Sequence, residues 1–168
     1  KAVAYTASAV IELKGAVAAM AWHGQVVRAD IQSKKYDDWT LKAPASLNID
    51  KDMLEASSLC WHNQQQASLC ASLQRDNDKW QSQLEMNQLP LMLAEPWLPP
   101  DLKLEGLIDA SAELQLQNRD QLFGEAHIIM SPGAINYPLL VGERDRWVFG
   151  GGHGYVVLSP QGTKSRAG

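Results

Sequence analysis

Two cysteines, four histidines and one glycine-rich tract carry the side chains and backbone best suited to chemistry in this 168-residue chain. Cys60 and Cys70 stand in LCWHNQQQASLC. Residues 56–61 and 67–73 read as strands, and residues 62–66 as the turn between them. A hairpin centred on Gln65 sets Cys60 opposite Cys70. Non-hydrogen-bonded antiparallel pairs bring Cα atoms to about 4.5 Å, at the short end of disulfide geometry. A disulfide there implies an oxidising compartment, with two buried free thiols as the alternative. A metal site fits less well. His62 is near, but no further Cys and no His at ligand spacing completes a set of four.

The other candidates lead to bland readings. His23, His62, His127 and His153 are scattered, with no HExxH and no HxH. No serine sits in a GxSxG elbow. Asp76, Asn77 and Asp78 lack the spaced ligands of a calcium loop. The tract GGGHG at residues 150–154 is followed by a second strand, not by a helix. It therefore reads as a hairpin turn and not as a phosphate cradle. The expectation is no catalytic residue, no metal and no cofactor.

The elements around these residues alternate with period two. From residue 102 to 116, Leu102, Leu104, Gly106, Ile108, Ala110, Ala112, Leu114 and Leu116 face one way, and mostly polar residues face the other. Fully extended, the segment would span roughly 50 Å, with room for a bend at Gly106. The same alternation places Leu122, Ala126, Ile128 and Met130 on one face, and likewise Trp80, Leu84 and Met86. Val3, Tyr5, Ala9, Ile11 and Leu13 open a first strand that Gly15 would turn. Residues 40–49 and 146–149 also read as strands. One-sided strands of this kind are usually antiparallel. The expected fold is all-β, a long and mostly antiparallel sheet over residues 1–160. Residues 161–168 have only Ala167 as an apolar side chain and read as a flexible tail or cloning remnant.

Residues 89–101, LPLMLAEPWLPPD, interrupt the pattern. Pro90 can open a short helix and Pro96 would stop it. Leu91, Met92, Leu93, Trp97 and Leu98 are too apolar for a free loop, so the segment should fold back on the dry face as a lid or plug, with an ordinary crossover packed on the core as the alternative. Few helices remain to cover that face. The sheet must curl on itself, pack on a second sheet or keep an apolar channel. The candidate lining is Leu84, Met86, Leu102, Leu104, Ile108, Leu114, Leu116, Leu122, Ile128 and Met130. It shows no convergent polar groups, which suits a non-selective grip on acyl chains. Net charge is −4, so a nucleic-acid partner is not expected. No apolar run approaches the length of a membrane-spanning helix.

Leu59, Cys60, Trp61, Ala67, Leu69, Cys70, Trp80, Leu89, Pro90, Leu91, Leu98, Pro99, Leu104, Gly106 and Asp109 together resemble the TamB family, the inner-membrane-anchored subunit of the bacterial translocation and assembly module. Agreement is strongest over residues 47–133 and includes Gly124 and the run Ser131, Pro132, Gly133 more weakly. The resemblance implies an internal periplasmic fragment of a longer protein, related to AsmA-like, bridge-type lipid-transfer proteins. It implies an open, taco-like trough with an apolar interior and an Omp85-class outer-membrane partner, TamA. The implied roles are phospholipid passage between membranes and help in inserting outer-membrane proteins by strand pairing. A closed β-sandwich spacer is the remaining alternative. The raw sheet edges of such a piece suggest edge-to-edge self-association.

Overall fold

The period-two pattern becomes strands along nearly the whole chain. The computed structural model describes residues 7–33, 37–99, 101–118, 120–138, 144–159 and 162–167; Val3 and Tyr5 lie outside them. The strands are β1 (Ala7–Ala18), β2 (Ala21–Ser33), β3 (Trp39–Leu41), β4 (Ala45–Ile49), β5 (Met53–His62), β6 (Ser68–Asp76) and β7 (Lys79–Pro90). A 3-10 helix (Leu91–Trp97) follows, then β8 (Lys103–Glu105), β9 (Leu107–Gln117), β10 (Gln121–Met130), β11 (Gly133–Pro138), β12 (Arg144–Phe149), β13 (Gly152–Ser159) and β14 (Gly162–Ala167). The large sheet runs β1-β2-β3-β5-β6-β7-β9-β10-β13-β14, and β4 also pairs with β2 and β5. A small sheet runs β12-β11-β8. Every pairing among the described residues is antiparallel.

Register keeps one face apolar across the large sheet. Leu69 lies opposite Met86, Met86 opposite Ala110, and Ala110 opposite Ile128. The next row, on the other face, is Cys70, Glu85, Ser111 and His127. Three bulges preserve this sorting. Each adds one residue to a strand, in β2 opposite Glu12 and Leu13, in β5 between Ala56 and Leu59, and in β7 between Met86 and Leu89. An extra residue flips the alternation by one. In β5 the apolar positions accordingly change from Leu54 and Ala56 to Leu59 and Trp61. In β7 they change from Met86 to Leu89. Side chains complete the disturbed ladders. Asp109 Oδ1 accepts from the Gln88 amide at 2.7 Å, and Ser57 Oγ accepts from the Ser46 amide at 2.8 Å.

Several local expectations change. Gly15 does not turn the chain; the turn is at Ala19 and Met20, both with positive φ as a tight hairpin requires. Gly15 sits mid-strand because a Cβ there would come within 2.5 Å of the Trp22 ring and the His23 carbonyl oxygen. Residues 40–49 are two strands, β3 and β4, broken before Ala45. Pro44 has no amide hydrogen to donate to a ladder. Gly162–Ala167, read as tail, pairs with β13. An extended backbone can satisfy an open edge whatever its side chains are.

The segment 102–116 divides at Gly106, whose φ of +128° excludes other residues without strain. The chain also breaks at Ser131 and Pro132, and at Gly150 and Gly151. Across these breaks β9, β10 and β13 continue as β8, β11 and β12 in the same neighbour order. The glycine tract is therefore a strand interruption and not a hairpin turn. Ser131 Oγ accepts from the Leu107 amide at 2.8 Å, and the Ser131 amide donates to the Leu107 carbonyl at 3.0 Å. These bonds tie the break in one strand to that in its neighbour.

The small sheet is held by charge-assisted bonds. Glu105 accepts from Asn136 Nδ2 and from Arg146 Nη2, both at 2.7 Å. The Arg146 bond, then the Asn136 bond, hold the Glu105 carboxyl below its usual range. A lowered folded-state pKa stabilises in full above the unfolded value, near pH 4.5, and is lost as pH falls through the lowered value. Acidification below pH 4.5 should therefore speed amide exchange in β11. Glu105→Gln should weaken that pH dependence once intrinsic exchange rates are removed, the remainder belonging to Asp145, whose carboxyl is also held below its usual range by the hydrogen bond from Tyr137 Oη in β11.

Candidate functional site

Antiparallel register assembles eight of the ten candidate lining residues on one face. Leu84, Met86, Ile108, Leu114, Leu116, Leu122, Ile128 and Met130 occupy the apolar rows of β7, β9 and β10. Leu102 and Leu104 do not join them. Leu102 precedes β8 and lies in no strand, and Leu104 faces Ile135 in the small sheet. The turn at Gly106 separates them from Ile108.

This face is not the core of a sandwich. Among the described residues the buried apolar side chains are Val26 and five alanines. Larger ones stay open: Leu114 is 36%, Ile128 38% and Leu122 41% exposed. The substantial contacts of β8, β11 and β12 are with one another and the 3-10 helix, so the small sheet extends the large one without covering it. Monomeric proteins rarely leave apolar patches of this kind uncovered without using them.

One part of the face is roofed. The 3-10 helix, entered from Pro90, overhangs the sheet and borders an open apolar cavity of about 570 Å³. Leu91, Leu93, Ala94, Pro96 and Trp97 line it from the helix. Leu69, Met86, Leu89 and Ile108 line it from β6, β7 and β9, and Ile31 and Trp39 from β2 and β3. Among the described residues, only Ser33 and Asp37 are polar there. A Lys103 Nζ–Glu95 Oε2 ion pair at 3.2 Å ties the helix to β8. The apolar composition of residues 91–98 signalled the helix side of the cavity. Ile31 and Trp39 had no sequence signal, because they reach the site only through the pairing of distant strands.

The opposite face is wet. A cleft of about 370 Å³ there is bordered by Gln83, Glu85, Asp109, Glu113, Glu125 and His127, among others. No group of three or more His, Cys, Asp or Glu among the described residues could hold a metal ion. Cys60 and Cys70 are directly opposed in β5 and β6 and form a disulfide, with Cα atoms 4.0 Å apart. The hairpin register read from the sequence is the one observed. The bridge lies on the wet face beside Ser58, whose Oγ is 3.3 Å from Cys60 Sγ. Trp61, the next residue, points to the apolar side. Its Nε1 donates to the Ala29 carbonyl at 3.0 Å, linking β5 to β2 past the short β3.

Residues 3–144 match the family model of the TamB N-terminal domain. No curated protein and no solved structure matches the chain.

The bridge closes a short loop, so its loss should cost about 2–3 kcal/mol. Urea denaturation of a Cys60→Ala/Cys70→Ala double variant checks this. An unreduced wild-type mass short by two hydrogens checks the bond itself.

Proposed function

The chain belongs to the TamB family, and from that premise we propose that its apolar face shields phospholipid acyl chains in transit between the inner and outer membranes. The observation that carries the reading is the cavity beneath the 3-10 helix. Its volume of about 570 Å³ falls within the range of small-ligand sites, roughly 300–1,000 Å³. It opens onto an apolar surface that no other element covers among the described residues.

The energetics favour this use. Each methylene removed from water gains about 0.8 kcal/mol, so ten shielded methylenes gain about 8 kcal/mol. Neither the chain nor the protein face needs a reaction for that exchange, and the role involves no catalysis. Ile31 and Ile108 line one cavity from strands five steps apart in the sheet. A flat sheet would hold those strands roughly 24 Å apart, which supports a sheet curled toward a trough. The disulfide fits an oxidising compartment such as the periplasm. An Omp85-class barrel, TamA, is the partner this role calls for at the outer membrane.

A second reading is favoured by one observation. β1 is a 12-residue strand without proline, hydrogen-bonded on one side only among the described residues. Such an edge can pair with an incoming outer-membrane strand or with a second copy.

Leu93→Asp tests the first reading, because Leu93 lines the cavity from outside the sheet ladders. Native mass spectrometry should find phospholipid on the wild type and little on the variant, with unchanged β circular dichroism. A lipid-free wild type, or undiminished lipid on the folded variant, would contradict it.

A further inference from the structure

The apolar cavity has one polar end. Asp37, Trp39, Pro90 and Leu93 line both the cavity and an adjoining recess of about 80 Å³. Asn63 and Gln65, from the turn between β5 and β6, complete the polar lining of the recess. An apolar space joined to a smaller one that carries Asp37, Asn63 and Gln65 has the composition an amphiphile would match.

The polar end is built and held. Asn63 is only 6% exposed. Its Oδ1 accepts from the Gln65 and Ala67 amides at 3.0 and 2.9 Å, which fixes its side chain within the turn. Its Nδ2 donates to Asp37 Oδ2 at 3.1 Å. The Asp37 carboxylate is thus oriented by a nearly buried amide. It is also the single ionisable side chain among the described residues lining either space.

Charge then selects the ligand. A carboxylate at the end of an apolar cavity attracts a cation and repels an anion, more strongly where water is scarce. Trp39 lines both spaces, and an aromatic ring is a group that alkylammonium cations favour. Asn63 Nδ2 keeps a second hydrogen and Gln65 borders the recess with a side-chain carboxamide, so both offer donors for phosphate oxygens. We propose that Asp37, Trp39 and Asn63 form a headgroup site that prefers phospholipids carrying an ammonium group over those whose headgroup is only anionic. The inference rests on the acyl-chain reading above. It replaces the non-selective grip expected from the sequence with a selective end on a non-selective channel.

The test offers the wild type equal amounts of phosphatidylethanolamine and phosphatidylglycerol with identical acyl chains. Occupancy is read by native mass spectrometry. A charge-assisted hydrogen bond predicts a preference of about tenfold for phosphatidylethanolamine. Asp37→Asn keeps an oxygen facing Asn63 and should bring the ratio near one with total lipid retained. Asp38→Asn is the control. Asp38 accepts from the Ser33 amide and lines neither space, so the ratio should stay as in the wild type. Lipid bound without headgroup preference, a ratio unmoved by Asp37→Asn, or equal shifts in both variants would overturn the headgroup site alone. A wild type that binds neither lipid would overturn the acyl-chain reading and the headgroup site with it.

Discussion

Everything in this molecule depends on the phase of an alternation. Successive strand residues face opposite ways, so a slip of one residue at any pairing would turn that strand's apolar side chains to water. Ten strands in series make the requirement cumulative. The chain meets it with bulges. Each of the three inserts one residue where the apolar positions in the sequence change parity, and the face stays apolar on both sides. Asp109 and Ser57 then satisfy backbone amides that the disturbed ladders would leave open. The disulfide sits two residues beyond the β5 bulge, where it pins the register against a slip.

The same constraint explains why the face is left open. Five alanines and Val26 make up the buried apolar set among the described residues, while Leu, Ile and Met side chains remain accessible. Burying them would require a second layer. The small sheet does not supply it, because Gly106, Pro132 and the Gly150–Gly151 pair carry its strands onward from the large sheet. The 3-10 helix supplies a roof over one stretch only. The result is a surface whose missing layer can be a hydrocarbon chain.

Much of this was legible in the sequence. Alternation in residues 107–116, 122–130 and 80–86 placed eight of the ten candidate residues on one common face, of which Met86 and Ile108 border the space under the 3-10 helix, and the spacing of Cys60 and Cys70 around Gln65 placed the disulfide. What was not legible is tertiary. Gly106 looked like a gentle bend, but its positive φ sends Leu104 into another sheet. Parity changes such as Ala56 to Leu59 marked the bulges, yet they look like noise until the partner strand is known. Ile31, Trp39 and Asp37 join the cavity only through strand order, which no local pattern encodes.

The central claim is that one face of the sheet, and not the other, meets acyl chains. Photo-crosslinking residues placed singly at Met86, Ile108 and Ile128 on the apolar face, and at Gln83, Ser111 and Glu125 on the wet face, test it directly in a phospholipid-loaded protein. The account predicts lipid adducts from the first three positions and none above background from the second three. Equal adducts from both faces, or none from either, would contradict it.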